Sequence, residues 1–240
     1  MIYLAIELRT ITASFRHPEF QNFHKSLHLP PPTTLVGLAG AALGMGPKSV
    51  QEWFEDHDWY FGIYGTSEGY ARDLWKYQSK WNAETGWNRS VISREILFDN
   101  YFLAVFGCPD EDRVRLLEEA FLQPKYALSL GTSDSLAKVV STEIINRADE
   151  NQTLENCLVP GNILDNVLDN IGNNMEFSIY STSDPIAYDL PIKFWYKNDY
   201  DIRRVFKRRT LSFVGSVMLV NFSVRGVWFK NHFVPIFSLQ

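Results

Sequence analysis

Apolar and polar positions alternate from Ile2 to Ser14, with Ile2, Leu4, Ile6 and Leu8 on one side and Tyr3, Ala5, Glu7 and Arg9 on the other. A period of two belongs to a half-buried strand. Residues Phe15 to Pro32 lose the period and carry Arg16, His17, His24, Lys25 and His28, which reads as a loop closed by Pro30-Pro31-Pro32. The prolines stiffen the chain and block helix, so Thr33 or Thr34 is the expected N-cap of a helix through Leu35–Gly44. Gly37, Gly40 and Gly44 fall at i, i+3 and i+7 and share one face of that helix. Glycine costs helix stability, so three on one face point to a backbone lying close against a sheet or another chain.

A second short helix, Ser49 to Glu55, leads into the aromatic strand Trp59-Tyr60-Phe61-Gly62-Ile63-Tyr64. The next stretch, Tyr70 to Ile96, is an insert of another kind. It mixes Trp75, Tyr77, Trp81 and Trp87 with Arg72, Lys76, Lys80, Arg89 and Arg94. Strand character returns over Leu97–Gly107, and Pro109-Asp110 opens an amphipathic helix with Val114, Leu117 and Phe121 on one face and Pro124 after its end. The order is thus β-α-β-(insert)-β-α, completed by a strand at Tyr126–Leu130 or later. That is the split βαβ order of ferredoxin-like and RNA-recognition folds. Ser141–Asn174 is polar, Asn-rich and acidic, and reads as irregular with short helices. Runs around Phe194-Trp195-Tyr196, Leu211–Val220 and Val227–Phe237 predict a strand-rich tail. The fold class is α+β: a βαββαβ core over residues 1–140 with a β-hairpin inserted at about 70–96, then an acidic segment and β-rich part packed on the core over 141–240.

Composition sharpens this picture in three places. The 240 residues are 45% hydrophobic, enough for a core of ordinary size. Aromatics reach 15%, many of which a core can absorb, while Tyr and Trp also serve surfaces that stack on bases or partner side chains. Cys108 and Cys157 are too few and too far apart for a zinc site and fit a reducing compartment. Glu7 and Arg9 interrupt the N-terminus too early for a signal peptide, and the longest uncharged apolar run, Leu35–Gly46, is too short to span a bilayer. A cytoplasmic protein without membrane contact is expected.

The net charge of −5 argues against nucleic acid until its distribution is read. Asp134 to Glu176 holds eight acids against Lys138 and Arg147, whereas Ile202 to the C-terminus holds seven bases and no acid. A chain so polarised can offer one face to phosphates and another to a protein, although two solvated surfaces would give the same totals.

Three segments resemble the CRISPR-associated Cas-five family: SFRHPEF…LHLPPPTTLVGLAGAALG at the first loop and helix, Tyr126–Asp134 with its Leu130-Gly131-Thr132-Ser133, and Arg94-Glu95-Ile96-Leu97. They occur in the family's order over roughly the first 140 residues. The resemblance implies an RNA-recognition-like core carrying a β-hairpin thumb, in a non-catalytic subunit of a type I Cascade surveillance complex. Such a subunit grips the 5′ handle of the CRISPR guide RNA (crRNA) and caps the backbone-subunit filament. It also touches the large subunit that finds the protospacer-adjacent motif, with target DNA nearby. In such a complex base pairing reads the sequence while the protein holds geometry.

On this reading the RNA-binding candidates are Arg16, His24 and Lys25 in the first loop, and Trp75, Lys76, Lys80, Trp87, Arg89 and Arg94 in the insert. Gly131, Thr132 and Ser133 are added, where a turn can offer N–H groups and hydroxyls to a phosphate or merely cap a strand. Cations neutralise phosphates and Trp faces stack on splayed bases, although Glu68, Asp73, Glu84 and Glu95 dilute the charge. Arg203, Arg204, Lys207, Arg208 and Arg209 pack five cations into seven residues, for nucleic acid, for an acidic neighbouring subunit, or as a protected strand edge.

No Gly-x-Gly-x-x-Gly or Walker pattern occurs, and no His/Asp/Glu cluster suggests a metal, so neither metal nor other cofactor is expected. His57 between Asp56 and Asp58 reads as a polar helix end. Some Cas-five members cut repeat RNA without metal, using Tyr, His and Lys. Tyr3, His24, Lys25 and His28 are the candidates here, but no family position matches them. A protein-only scaffold is the third reading.

Overall fold

The computed structural model describes residues 1–82, 86–163, 165, 185–197, 203–218 and 223–239, with the side chains of 77–82, 87–88 and 217–218 left out. The alternating N-terminus forms β1 (Ile2–Ala13). The loop that follows contains three two-residue strands, β2 (Phe15–Arg16), β3 (Phe23–His24) and β4 (Ser26–Leu27). Helices α1 (Pro32–Leu43) and α2 (Pro47–Glu55) come next, then the long strands β5 (Tyr60–Asn82) and β6 (Gly86–Cys108), and helix α3 (Glu111–Leu122). The remainder is strand: β7 (Lys138–Ile145), β8 (Asp149–Asn151), β9 (Thr153–Pro160), β10 (Ile186–Trp195), β11 (Arg204–Met218), β12 (Val224–Phe229), β13 (His232–Pro235) and β14 (Phe237–Ser238).

The main sheet runs β10-β11-β9-β5-β6-β1-β7, with β14 added to β5 and β3 to β6. β1 lies between β6 and β7, antiparallel to both. Its period of two then divides the core. Leu4, Ile6 and Leu8 point into a cluster with Leu35 and Leu38 of α1, Phe54 of α2 and Leu117 and Phe121 of α3. Tyr3 and Ala5 point the other way, where Val227, Phe229 and Val234 of the small sheet β13-β12-β8 cover them. The sheet is therefore buried on both faces, by helices on one side and by a β-hairpin on the other. Each buried Leu, Ile or Phe in these layers contributes about 1.5–3 kcal/mol.

Several local expectations need correction. Neither Thr33 nor Thr34 caps α1; Pro31 occupies the N-cap with no side-chain hydrogen bond, and Pro32 stands within the first turn. The three helix glycines have three different roles. A Cβ on Gly40 would meet Val50 Cγ1 at 2.9 Å, Gly44 closes the helix in the left-handed region, and Gly37 faces open space. Ser141–Asn174 is not irregular where it is described, since β7, β8 and β9 occupy much of it. Positions 164 and 166–174 lie outside the described residues. Of the two completions offered, Tyr126–Leu130 contributes only a single bridge, Ser129 to Leu136, and the later strand, β7, is the one beside β1. Asp110 does cap α3, accepting from the N–H groups of Asp112 and Arg113. Among the described residues no helix is long and apolar enough to cross a membrane.

Candidate nucleic-acid interface

β5 and β6 keep one register from Tyr60–Gly107 to Gln78–Arg89, interrupted only at Glu68 and Asp99, so residues 70 and 96 are not element boundaries. At about 3.3 Å per residue, 23-residue strands span roughly 70 Å, far more than the sheet is deep. The distal half projects, with Tyr70, Leu74, Trp75 and Val91 exposed. Of these, Tyr70, Leu74 and Val91 lie on the ribbon as exposed apolar surface, while Trp75 meets the loop below.

The first loop docks on the base of this ribbon. β3 pairs in parallel with β6, Phe23 beside Ser93 and His24 beside Arg94. β2 pairs with β4, and the Glu95 side chain accepts from the Ser26 N–H at 3.2 Å while its carbonyl accepts from Ser14 Oγ at 2.7 Å. The result is a cluster at the ribbon base. The His24 ring lies 5.8 Å from Trp75, and the Arg94 guanidinium 5.6 Å from the same indole. Arg94 Nη2 donates to Asp73 at 3.1 Å and to Asp134 at 3.2 Å. Burial, and then the charges of Arg16 and Arg94, push the His24 imidazole below its ordinary value, so it is neutral at neutral pH. A hydrogen bond from Thr132 most strongly lowers the Asp134 carboxyl; burial opposes it and the Arg94 bond adds to it.

The sequence-derived candidates therefore divide. Arg16 is exposed on β2 beside His24, and Lys25 lies 5.5 Å from the Phe20 ring. Trp75, Lys76 and Arg89 are exposed on the ribbon; the side chains of Lys80 and Trp87 lie outside the described residues. Arg94 is buried and shared by two carboxylates, so it is an internal tie between the ribbon and the Gly131 turn, not an available cation. Gly131 has φ +96°, and a Cβ there would collide with the Ser14 carbonyl. Thr132 Oγ1 bonds Ser135 Oγ, whereas Ser133 is exposed.

In the basic run, Arg208 donates to the Asp189 carbonyl at 2.9 Å and Arg209 to that of Ser238. The Arg203 guanidinium stands 4.5 Å from the Phe194 ring. The side chains of Arg204 and Lys207 are exposed and form no ion pair or hydrogen bond among the described residues.

Two adjoining clefts lie over α1. A polar one of about 240 Å³ is lined by Thr33, Thr34, Ser129, Gly131 and Arg203. An apolar one of about 290 Å³ is lined by Val36, Tyr126, Ile192, Phe194 and Tyr196, and again by Arg203. Sequence reading missed Thr33, Tyr126 and Tyr196. The available signal was Gly37, a mid-helix glycine that no internal contact requires.

A family model for the CRISPR-associated protein (Cas_Cas5) matches residues 3–210. The chain belongs to this family. No curated protein matches it in sequence. Solved structures similar to this Cas_Cas5 chain include a CRISPR protein from Archaeoglobus fulgidus, at 11% identity and TM-score 0.52, covering 98% of this chain and 99% of that one. A chain of a CRISPR RNA-guided surveillance complex matches at 14% identity and TM-score 0.50, covering 90% of each. The chain spans 57% of the length of another, solved as a Cas protein, with 55% of its own residues covered, 20% identity and TM-score 0.37.

Of the Tyr, His and Lys candidates for RNA cleavage, Tyr3 and His24 stand far apart in this Cas_Cas5 chain. Tyr3 pairs with Gly107 of β6 and His24 with Arg94 of the same strand. Thirteen strand residues separate those partners, about 40 Å. Tyr3 is also buried under the C-terminal hairpin, where Arg225 donates to its hydroxyl at 3.2 Å. General base catalysis needs hydrogen-bond reach, which this pair lacks.

Proposed function

We propose that the chain is a non-catalytic subunit of an RNA-guided CRISPR effector complex of type I and holds the 5′ handle of the guide RNA. The observation that carries this reading is the docking of the first loop on the ribbon base, which sets His24 beside Trp75, with Arg16 near His24 and Lys25 over the Phe20 ring. The exposed cations Arg16, Lys76 and Arg89, on the same loop and ribbon as the partly exposed Trp75, suit a single strand whose phosphates are neutralised and whose bases stack. Membership of a CRISPR-associated family supports the setting, as does likeness of fold to a chain of an RNA-guided surveillance complex. The order β5-β6-β1-β7, with helices between β1 and β5 and between β6 and β7, is then a ferredoxin-like core, and the projecting ribbon its thumb. The exposed apolar ribbon residues Tyr70, Leu74 and Val91 would meet backbone subunits, and the basic run the large subunit or target DNA.

The test is a tagged pull-down from the native host with sequencing of the bound RNA ends. Short RNAs sharing one 5′ end, with several co-eluting proteins, are expected; random ends or no RNA would overturn the reading. Incubation with repeat RNA in EDTA checks the non-catalytic part, and a single defined cut would refute it.

A further inference from the structure

We propose that the paired cleft over α1 seats one nucleotide of the bound RNA, its base in the apolar half and its phosphate at Arg203. The inference rests on the guide-binding reading and extends it to a particular site.

Gly37 is the starting point. A glycine inside a helix costs stability, and such a cost is normally explained by a neighbour that needs the space. Gly40 has such a neighbour in Val50, but around a Cβ on Gly37 nothing lies within 4 Å. Gly37 lines both halves of the cleft, so the space it leaves opens into them.

The two halves differ in the way a nucleotide differs along its length. Thr33, Thr34 and Ser129 bring hydroxyls to one half, suited to a phosphate and a ribose. Tyr126 and Tyr196 bring aromatic rings to the other, beside Phe194 with Arg203 over its ring, and Tyr126 is exposed, free to stack on a base. Arg203 belongs to both and, among the described residues, is the one charged side chain lining either cleft. Among the described lining residues the arginine is thus the charge available to an anion. An apolar protein segment would fill the second half but leave the hydroxyls of Thr33, Thr34 and Ser129 without a counterpart.

Gly37→Ala and Gly37→Leu test the site, because open space around Cβ lets both fold. The probes are fluorescent single-stranded RNAs bound to the purified full chain, one copied from the host repeat and one oligouridylate of equal length. Gly37→Leu is expected to weaken both roughly tenfold, the equivalent of one lost base contact, with Gly37→Ala losing less. Neither variant should lower the Tm, since replacing glycine favours the helix. A 4-thiouridine probe should crosslink at Tyr126 or Tyr196. If the wild type binds RNA and Gly37→Leu binds equally well, the cleft is not a nucleotide site. If Gly37→Leu keeps RNA but loses a co-purifying protein, the cleft takes a protein and the proposal falls. If the wild type binds neither probe, the guide-binding reading itself has failed.

Discussion

Lys230 donates to the Glu7 carboxylate at 2.6 Å across 223 residues of sequence. Glu7 is buried on the face of β1 that the β12–β13 hairpin covers, and Ser141 of β7 donates to the same oxygen at 2.7 Å. Burial alone would raise the carboxyl, but the two hydrogen bonds and the charges of Lys230 and Arg9 outweigh it and hold it below its ordinary value. A carboxylate lowered in the folded state adds stability that is present above its unfolded value and lost as pH falls through the folded one. Glu7→Gln should therefore be less stable than wild type at neutral pH, and the gap should close as the pH drops below glutamate's ordinary value of about 4.3. Urea midpoints of both proteins across that range check it; a gap independent of pH would show that the charge contributes nothing.

Gly131 tolerates no side chain. Its φ of +96° is unfavourable for other residues, and the Ser14 carbonyl fills the position of a Cβ. Gly131→Ala is expected to cost about 1–3 kcal/mol, a fall in Tm on the order of 5 °C. Thermal unfolding of the variant measures this. Ser133→Gly serves as the control: Ser133 is exposed in the same turn, and its replacement should leave Tm nearly unchanged.

Arg94 distinguishes a structural cation from an RNA contact. Its two charged hydrogen bonds, to Asp73 and Asp134, join β5 to the turn after Gly131. Arg94→Met should lower stability by about 1.5–3 kcal/mol, the range for hydrogen bonds to charged groups. The salt dependence of RNA binding by the folded variant should stay at the wild-type slope, because the guanidinium neutralises carboxylates and not phosphate. A reduced slope would return Arg94 to the RNA surface.

What could be read from the sequence was what repeats locally. The alternation of Ile2 to Leu8 located β1 and both its faces, and Asp110 with Val114, Leu117 and Phe121 located α3. β7 escaped because a bulge opposite Glu7 and Leu8 breaks its period of two, and because edge residues such as Val140 are exposed. The mixed composition of residues 70–96 was visible, but its continuity with the core strands was not, since pairing partners such as Tyr70 and Leu97 are set by register. The same holds for the site. Arg94, Asp73 and Asp134 come from separate segments and meet only through the fold, so a buried tie looked like a free cation. Gly37 was legible as unusual, but only the open space around it shows that the reason lies outside the helix.

The ribbon has two faces, and they should fail differently. Lys76 stands opposite Val91 and Gln78 opposite Arg89, so Lys76 and Arg89 share a face, while Trp75 lies on the other with His24 and Arg94. Single-stranded RNA loses about 0.7 in the slope of log affinity against log salt for each phosphate contact removed. The double variant Lys76→Ala/Arg89→Ala should thus lower the slope by about 1.4, equally for all sequences, because phosphate contacts position without reading bases. Trp75→Ala should instead weaken binding by about 1–3 kcal/mol with the slope unchanged, as stacking releases no counterions. Fluorescence titrations at several salt concentrations separate the two. Unchanged affinity in both variants would remove the ribbon from the RNA surface and leave its exposed aromatic and apolar side chains to a protein neighbour.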